Sequence, residues 1–288
     1  MANHDNWIHS GDTFQASKEF VKKQELDPGY YTFRQNYGVS TATTIPMKAD
    51  RHCQFNNGPA MRIMDEIRSF WSGNSAYKAL GVSHKRSILL YGPPGCGKSG
   101  IITTVIRHLT DMKGVSVRMD NISHFTTVLK AFRQIQPITP IVAIIEDIDD
   151  QISRDEVEFL ELFDGASTIG ENILFVSTTN KLEDIPERIR CRPSRIDTLI
   201  EIGYPVEKQR SEYIDFLLEN VSVSSSVKKD LVKHSENFSL ADIKELVIST
   251  YVYKKNVVDA AKLISGAKDA VDPKEEEYIE DCDDDDDE

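Results

Sequence analysis

Gly92-Pro93-Pro94-Gly95-Cys96-Gly97-Lys98-Ser99 is the stretch that decides the fold. It follows the β-rich run Ser87-Ile88-Leu89-Leu90-Tyr91 and precedes a segment in which Ile102, Val105, Ile106 and Leu109 recur at helical spacing. A GxxxxGKS loop therefore joins one strand to one helix, which is the context this motif requires. Glycines let such a loop wrap until its N–H groups converge on phosphate oxygens, and the following helix presents its positive end to them. In that setting Lys98 bridges the β and γ phosphates of a nucleotide, and the Ser99 hydroxyl ligates Mg²⁺.

Working outward, short β-rich runs alternate with amphipathic helical patterns. After the loop helix come Val115-Ser116-Val117-Arg118-Met119, a helix through Phe125 to Ile135, the buried-type strand Ile141 to Ile145, a helix around Val157 to Phe163, and strands at 173–177 and 198–202. This alternation predicts an α/β domain with a wound parallel sheet over residues 58–204. Beyond Pro205 no strand-like run stands out. Helical patterns near 207–219, 226–234, 239–253 and 256–265 predict a small helical domain over 205–265. Residues 1–57 are polar and Tyr-rich, with a hairpin pattern in YYTFRQNYGVSTATTI at 30–45, and are expected to form an N-terminal extension. Residues 266–288 are expected to be a disordered acidic tail.

The strand Ile141–Ile145 runs directly into Glu146-Asp147-Ile148-Asp149-Asp150. Carboxylates at the end of a neighbouring strand are what a nucleoside triphosphate and its metal need: one for the Mg²⁺ shell, another to orient or deprotonate the attacking water.

Charge is unevenly spread. The chain has 34 basic and 47 acidic residues, a net charge of −13, yet residues 272–288 alone hold twelve acids against the single base Lys274. The rest of the chain is therefore close to neutral, at −2, and has no long basic stripe, which disfavours nucleic-acid binding. The longest apolar run, Ile141 to Ile145, is far short of the ~20 residues that span a bilayer, and MANHDNWIHSGD has no apolar signal core. Four scattered cysteines lack metal or disulfide-framework spacing. A cytoplasmic, reducing compartment with no membrane association is expected.

With both motifs in place, the chain resembles the AAA family of ATPases over residues 58–264, and is similar to the branch that includes the mitochondrial inner-membrane translocase. Further elements follow in the family's order. Ile173 to Asn180 (ILFVSTTN) ends in a residue matching the sensor that contacts the γ phosphate and water; Arg192-Pro193-Ser194-Arg195-Ile196-Asp197 resembles the segment whose two arginines reach the neighbouring subunit's nucleotide; and Phe238-Ser239-Leu240-Ala241-Asp242-Ile243 resembles the start of the lid helix. The resemblance implies ATP and Mg²⁺ as cofactors, held by residues 92–99 with Leu240 and Ala241. It implies Ser99 and Glu146 at the metal, Asp147 on the attacking water with Asp149 as understudy, and Asn180 as sensor. It also implies Arg192 and Arg195 as fingers acting between subunits of a homo-oligomer, as in a hexameric ring.

Three departures from the family pattern are visible. The acidic pair is Glu-Asp rather than Asp-Glu, Ser194 replaces a glycine, and the segment Met119 to Thr126 lacks the aromatic–apolar–glycine signature of protein-threading members. Phe125 fits a pore loop or, by its spacing with Val128, Leu129 and Phe132, a core helix face. The leading expectation is a ring ATPase that remodels or disassembles an unidentified protein partner. A nucleic-acid-associated loader or switch and a nucleotide-gated assembly platform are the alternatives. The tail reads as a solvating segment, a docking peptide for a basic groove, or a nucleic-acid mimic.

Overall fold

The computed structural model describes residues 6–10, 13–17, 25–36, 38–47, 53, 58–164, 171–192 and 195–271. The chain divides into two units, Met1–Pro205 and Val206–Glu288.

The first unit contains, in chain order, β1 (Asn6–Ser10), β2 (Thr13–Ser17), β3 (Gly29–Asn36), β4 (Val39–Thr44), α1 (Pro59–Ser72), α2 (Asn74–Leu80), β5 (Lys85–Tyr91), α3 (Lys98–Asp111), β6 (Val115–Arg118), α4 (Ile122–Ile135), β7 (Ile141–Ile145), α5 (Ile148–Asp164), β8 (Ile173–Thr179), α6 (Glu187–Arg190) and β9 (Thr198–Glu201). The strands form one sheet in the order β1-β2-β4-β3-β6-β7-β8-β5-β9. From β3 to β9 all neighbours run parallel, and β1, β2, β4 and β3 pair antiparallel.

Helices cover both faces of the parallel part, which is why its strands are apolar throughout rather than alternating. Along β7, Ile141, Ala143 and Ile145 join the cluster under α4 and α5, whereas Val142 and Ile144 join the cluster under α1 and α3. All five are fully buried. Helix α4 starts where the Asn121 side chain accepts the His124 N–H at 2.9 Å. Helix α5 is interrupted at Asp155, where the backbone leaves the helical region (φ −141°, ψ 54°). Its second half is the helix expected near Val157 to Phe163.

The N-terminal segment differs from the extension expected at 1–57. The hairpin β3–β4 is present, with Asn36 paired to Val39 across a tight turn and Gly38 at φ +80°. That hairpin is part of the main sheet: β3 pairs in parallel with β6, from Gly29 opposite Val115 to Thr32 opposite Arg118. Tyr31 and Phe33 are buried in the α4–α5 core, Phe33 stacks on Phe125 at 6.2 Å, and the Leu26 N–H donates to Gln136 Oε1 at 2.8 Å. The N-terminal residues thus seal the sheet edge that β6 would otherwise expose. The start of the chain, residues 18–24, 48–52 and 54–57, and the acidic tail from 272 on lie outside the described residues.

Phe125 is a core residue. Its side chain is 1% exposed and lies between Phe33 and Phe175, so the helix-face alternative holds and the pore-facing one does not.

The second unit is all helical: α7 (Glu207–Leu217), α8 (Ser225–Lys233), α9 (Leu240–Tyr251) and α10 (Val257–Val271). It has its own core, built from Ile214, Leu218, Leu231, Phe238, Ile243 and Leu246 among others. No described helix in either unit is long and apolar enough to cross a membrane.

Candidate nucleotide-binding site

Strand β5 lies between β8 and β9, although its next strand in sequence, β6, lies on the far side of β7 and β8. Such a reversal of winding direction opens a crevice at the carboxyl ends of the strands, where α/β proteins bind ligands. Residues 92–99 emerge from β5 at this edge. Register places the neighbouring strand ends beside them: Tyr91 pairs with Thr179, and Ile145 with Ser177. The loop, Asn180 and the Glu146–Asp147 pair therefore leave the same edge of three consecutive strands, each about 4.8 Å from the next.

The loop's glycines are conformational requirements. Gly92, Gly95 and Gly97 have φ of +137°, +77° and +106°. At Gly92 there is also no room for a side chain, since a Cβ would lie 2.4 Å from the carbonyl oxygen of Ile202, the residue just after β9. Cys96 is buried among Ile88, Leu90 and Ile102 and is a packing residue. Pro93 is half-buried and Pro94 exposed.

Gly97 precedes α3 and has no side chain with which to cap it, so the first-turn amides are left without a side-chain partner at the N-cap. Lys98 is buried, and its ammonium donates to the carbonyls of Gly92 at 2.5 Å and Pro93 at 3.0 Å. Burial lowers its pKa against the opposing influence of the Cys96 and Asp147 charges. Ser99 is exposed. These features fit a triphosphate: an uncapped helix start, a lysine ammonium held on loop carbonyls, and the Ser99 hydroxyl next to it in sequence.

Across the crevice Glu146 is half-buried and Asp147 exposed. Asp147 has φ +47°, uncommon outside glycine, and its N–H donates to Thr178 Oγ1 on β8 at 3.3 Å. This bond ties the acidic turn to the strand that ends in Asn180, itself exposed. Among the described residues no three His, Cys, Asp or Glu side chains form a self-sufficient metal site. One hydroxyl and one carboxylate, completed by phosphate oxygens and water, is a usual Mg²⁺ arrangement.

Tyr30 and Arg118, which sense the Glu146 charge, and Thr32, which binds Asp120, were not legible as site residues. The Tyr30 hydroxyl pKa is pushed up to about 12, by burial first and then by the Glu146 charge. Arg118 also senses Glu146, and its guanidinium holds Asp120 at 2.7 Å and 3.2 Å. The Thr32 hydroxyl donates to the same carboxylate at 2.8 Å. The only advance signal was Arg118 at the end of a predicted strand; Tyr30 and Thr32 reach the site through the β3–β6 pairing.

The two candidate finger arginines are in different states. Arg192 is exposed. Arg195 is 6% exposed, makes a two-point ion pair with Asp164 at the end of α5 (3.0 Å and 2.5 Å), and donates to the Arg188 carbonyl at 2.7 Å. Its hydrogen bonds with Asp164 raise the Arg195 pKa and lower that of Asp164. Arg188 in turn pairs with Glu156 of α5. Arg195 is thus committed within its own chain. Pro193 and Ser194 lie outside the described residues.

Leu240 and Ala241 lie in the second unit, in the first turn of α9. That turn is fixed by a capping box: the Ser239 N–H donates to Asp242 Oδ2 at 2.8 Å, and the Asp242 N–H to Ser239 Oγ at 3.2 Å. Leu240 is half-buried and Ala241 exposed.

Residues 88–204 match the family described as ATPase family associated with various cellular activities (AAA). Over 183 residues the chain is 26% identical to a mitochondrial sorting homolog of Caenorhabditis elegans, covering 57% of this chain and 52% of the relative. It is 28% identical over 194 residues to an outer mitochondrial transmembrane helix translocase of Danio rerio, covering 59% and 48%. It is 26% identical over 192 residues to a proteasome-activating nucleotidase of Saccharolobus islandicus, covering 60% and 48%. The chain spans about half the length of these curated relatives. The matched segment contains the β5–α3 loop, the acidic turn after β7 and the end of β8, all on one sheet edge, and over these residues the chain matches an ATPase domain of the AAA family.

Proposed function

We propose that the chain is an Mg²⁺-dependent ATPase that works as a homo-oligomeric ring and uses hydrolysis to remodel a protein partner. One observation carries the ATPase assignment: a positive-φ glycine loop with a buried lysine and an uncapped helix start shares its sheet edge with the Glu146–Asp147 turn. The Lys98 ammonium, now on two loop carbonyls, is placed to transfer to phosphate oxygens. Ser99 and Glu146 hold the ion, which when bound supplies charge neutralisation on the phosphates. Asp147 accepts a proton from the attacking water, and Asn180 orients that water.

Arg192, exposed, reaches the nucleotide of an adjacent subunit. Arg195 positions it by anchoring the segment to Asp164. Remodelling of a protein is supported by the names of two relatives, a transmembrane helix translocase and a proteasome-activating nucleotidase.

The acidic pair supplies the test. Asp147→Asn is expected to bind ATP with near-normal affinity and to lose hydrolysis by about 10²-fold or more. Glu146→Gln is expected mainly to raise the Mg²⁺ concentration needed for turnover. Nucleotide titration and Mg²⁺-dependent phosphate release on both proteins decide it. Normal turnover in Asp147→Asn, with hydrolysis lost at all Mg²⁺ levels in Glu146→Gln, would reverse the roles.

A further inference from the structure

The helical unit contains a groove of about 1010 Å³ between α7 and α8. Its basic lining comes from Lys208 and Arg210 on α7 and from Lys228, Lys229 and Lys233 on α8. Three acids also line it, but Asp215 is bonded to Lys228 at 2.7 Å, which leaves Glu207 and Glu236 against Lys208, Lys229 and Lys233. Lys208, Lys229 and Lys233 are exposed and make no salt bridge among the described residues. Val232 and Ile214 add an apolar strip beside these charges. No residue assigned to the nucleotide lines this groove.

The same unit ends in α10, which packs against α9 and α8 and finishes at Val271. Immediately after it come residues 272–288, with twelve acids, one base and the apolar pair Tyr278-Ile279. At roughly 3.3 Å per extended residue, six residues span about 20 Å, two interhelical spacings, so the segment reaches α8 with length to spare. Tethering holds it at a local concentration of order millimolar. The six consecutive carboxylates Asp283 to Glu288 suit a row of lysines in many registers, and Tyr278-Ile279 match the Val232 strip.

We propose that the acidic segment 272–288 docks in the α7–α8 groove of its own chain. Docking offsets charges that each partner alone leaves exposed. Independently of any nucleotide chemistry, it predicts a salt-sensitive contact inside the helical unit.

Hydrogen–deuterium exchange on the full chain tests this. The comparison is between the native chain and one in which Asp283→Asn through Asp287→Asn are made together, at about 50 mM and about 1 M NaCl, where the screening length falls to about 3 Å. Amides of α8 are expected to exchange at least about threefold slower in the native chain at low salt, with the difference vanishing at high salt. Lys229→Glu with Lys233→Glu should remove the protection, and Lys244→Glu on α9, outside the groove, should not. Equal α8 exchange in native and tail-neutralised chains at low salt would overturn docking, and so would an equal loss with Lys244→Glu. Protection that rises with protein concentration would assign the groove to the tail of a second copy and overturn docking within one chain.

Discussion

Gly92 shows how much of the site rests on single backbone positions. Its φ of +137° is strained for any L side chain, and a Cβ would collide with the Ile202 carbonyl at 2.4 Å. The obstacle is backbone just after β9, so no side-chain rotation relieves it. Gly92→Ala is therefore expected to cost about 1–3 kcal/mol in the first unit and to displace the carbonyl that holds Lys98. Urea unfolding read alongside ATP titration checks this, with both stability and affinity falling. An alanine protein of native stability and affinity would mean that the loop has a second conformation compatible with phosphate binding.

At the scale of elements, α4 and β3 decide what the segment after β6 can do. Phe125 projects from α4 into an aromatic core with Phe33 and Phe175. Phe125→Ala should lose about 3–5 kcal/mol of unfolding free energy, a cavity effect that a pore-loop residue would not produce. Denaturant midpoints measured together with turnover separate the two cases.

The loop between β6 and α4 is held by Asp120, which Arg118 and Thr32 grip from two strands. Burial raises the Asp120 pKa, but the hydrogen bonds from Arg118 and Thr32 outweigh it and the net shift is downward. A carboxylate with a depressed folded pKa contributes stability that is full above its ordinary value of about 3.9 and is lost as pH falls through the folded value. The margin in melting temperature of the native protein over Asp120→Asn should accordingly be largest at neutral pH and shrink below about pH 4. Both partners are more than a third exposed, at 37% and 38%, so the margin is small.

For the whole molecule, the contrast between Arg192 and Arg195 bears on assembly. Arg195→Ala removes an internal anchor and is expected to lower the melting temperature, about 2–4 °C for each kcal/mol lost in a unit of this size. Arg192→Ala should melt normally, bind ATP and turn over poorly, because the missing charge serves a neighbouring subunit. Mixing Arg192→Ala with Lys98→Ala then restores some complete sites, and phosphate release should recover in part, rising with total concentration. Arg192→Ala protein as active as the native chain would remove the case for a shared site.

The phosphate loop, the acidic turn and the strand–helix alternation were determined by sequence alone, because each depends on local chemistry: glycine where φ is positive, a cation between two turns, carboxylates at a strand end. The same locality explains why α3, α4 and the helices from Glu207 onward were legible from apolar spacing. What only the tertiary structure decided depends on pairing between distant residues. The YYTFRQN segment reads as one arm of a hairpin, but a hairpin pattern does not say that β6 is the neighbour, so neither Tyr30 near Glu146 nor Thr32 on Asp120 was visible. Phe125 has the same helical spacing whether its face meets a core or a channel, and Phe33 and Phe175 settled it. Arg192 and Arg195 are alike in sequence; one is exposed and the other is captured because α5 ends at Asp164 within reach of a guanidinium. Periodicity and motif encode what a residue offers, whereas the partner that takes up the offer is set by which strands and helices come together.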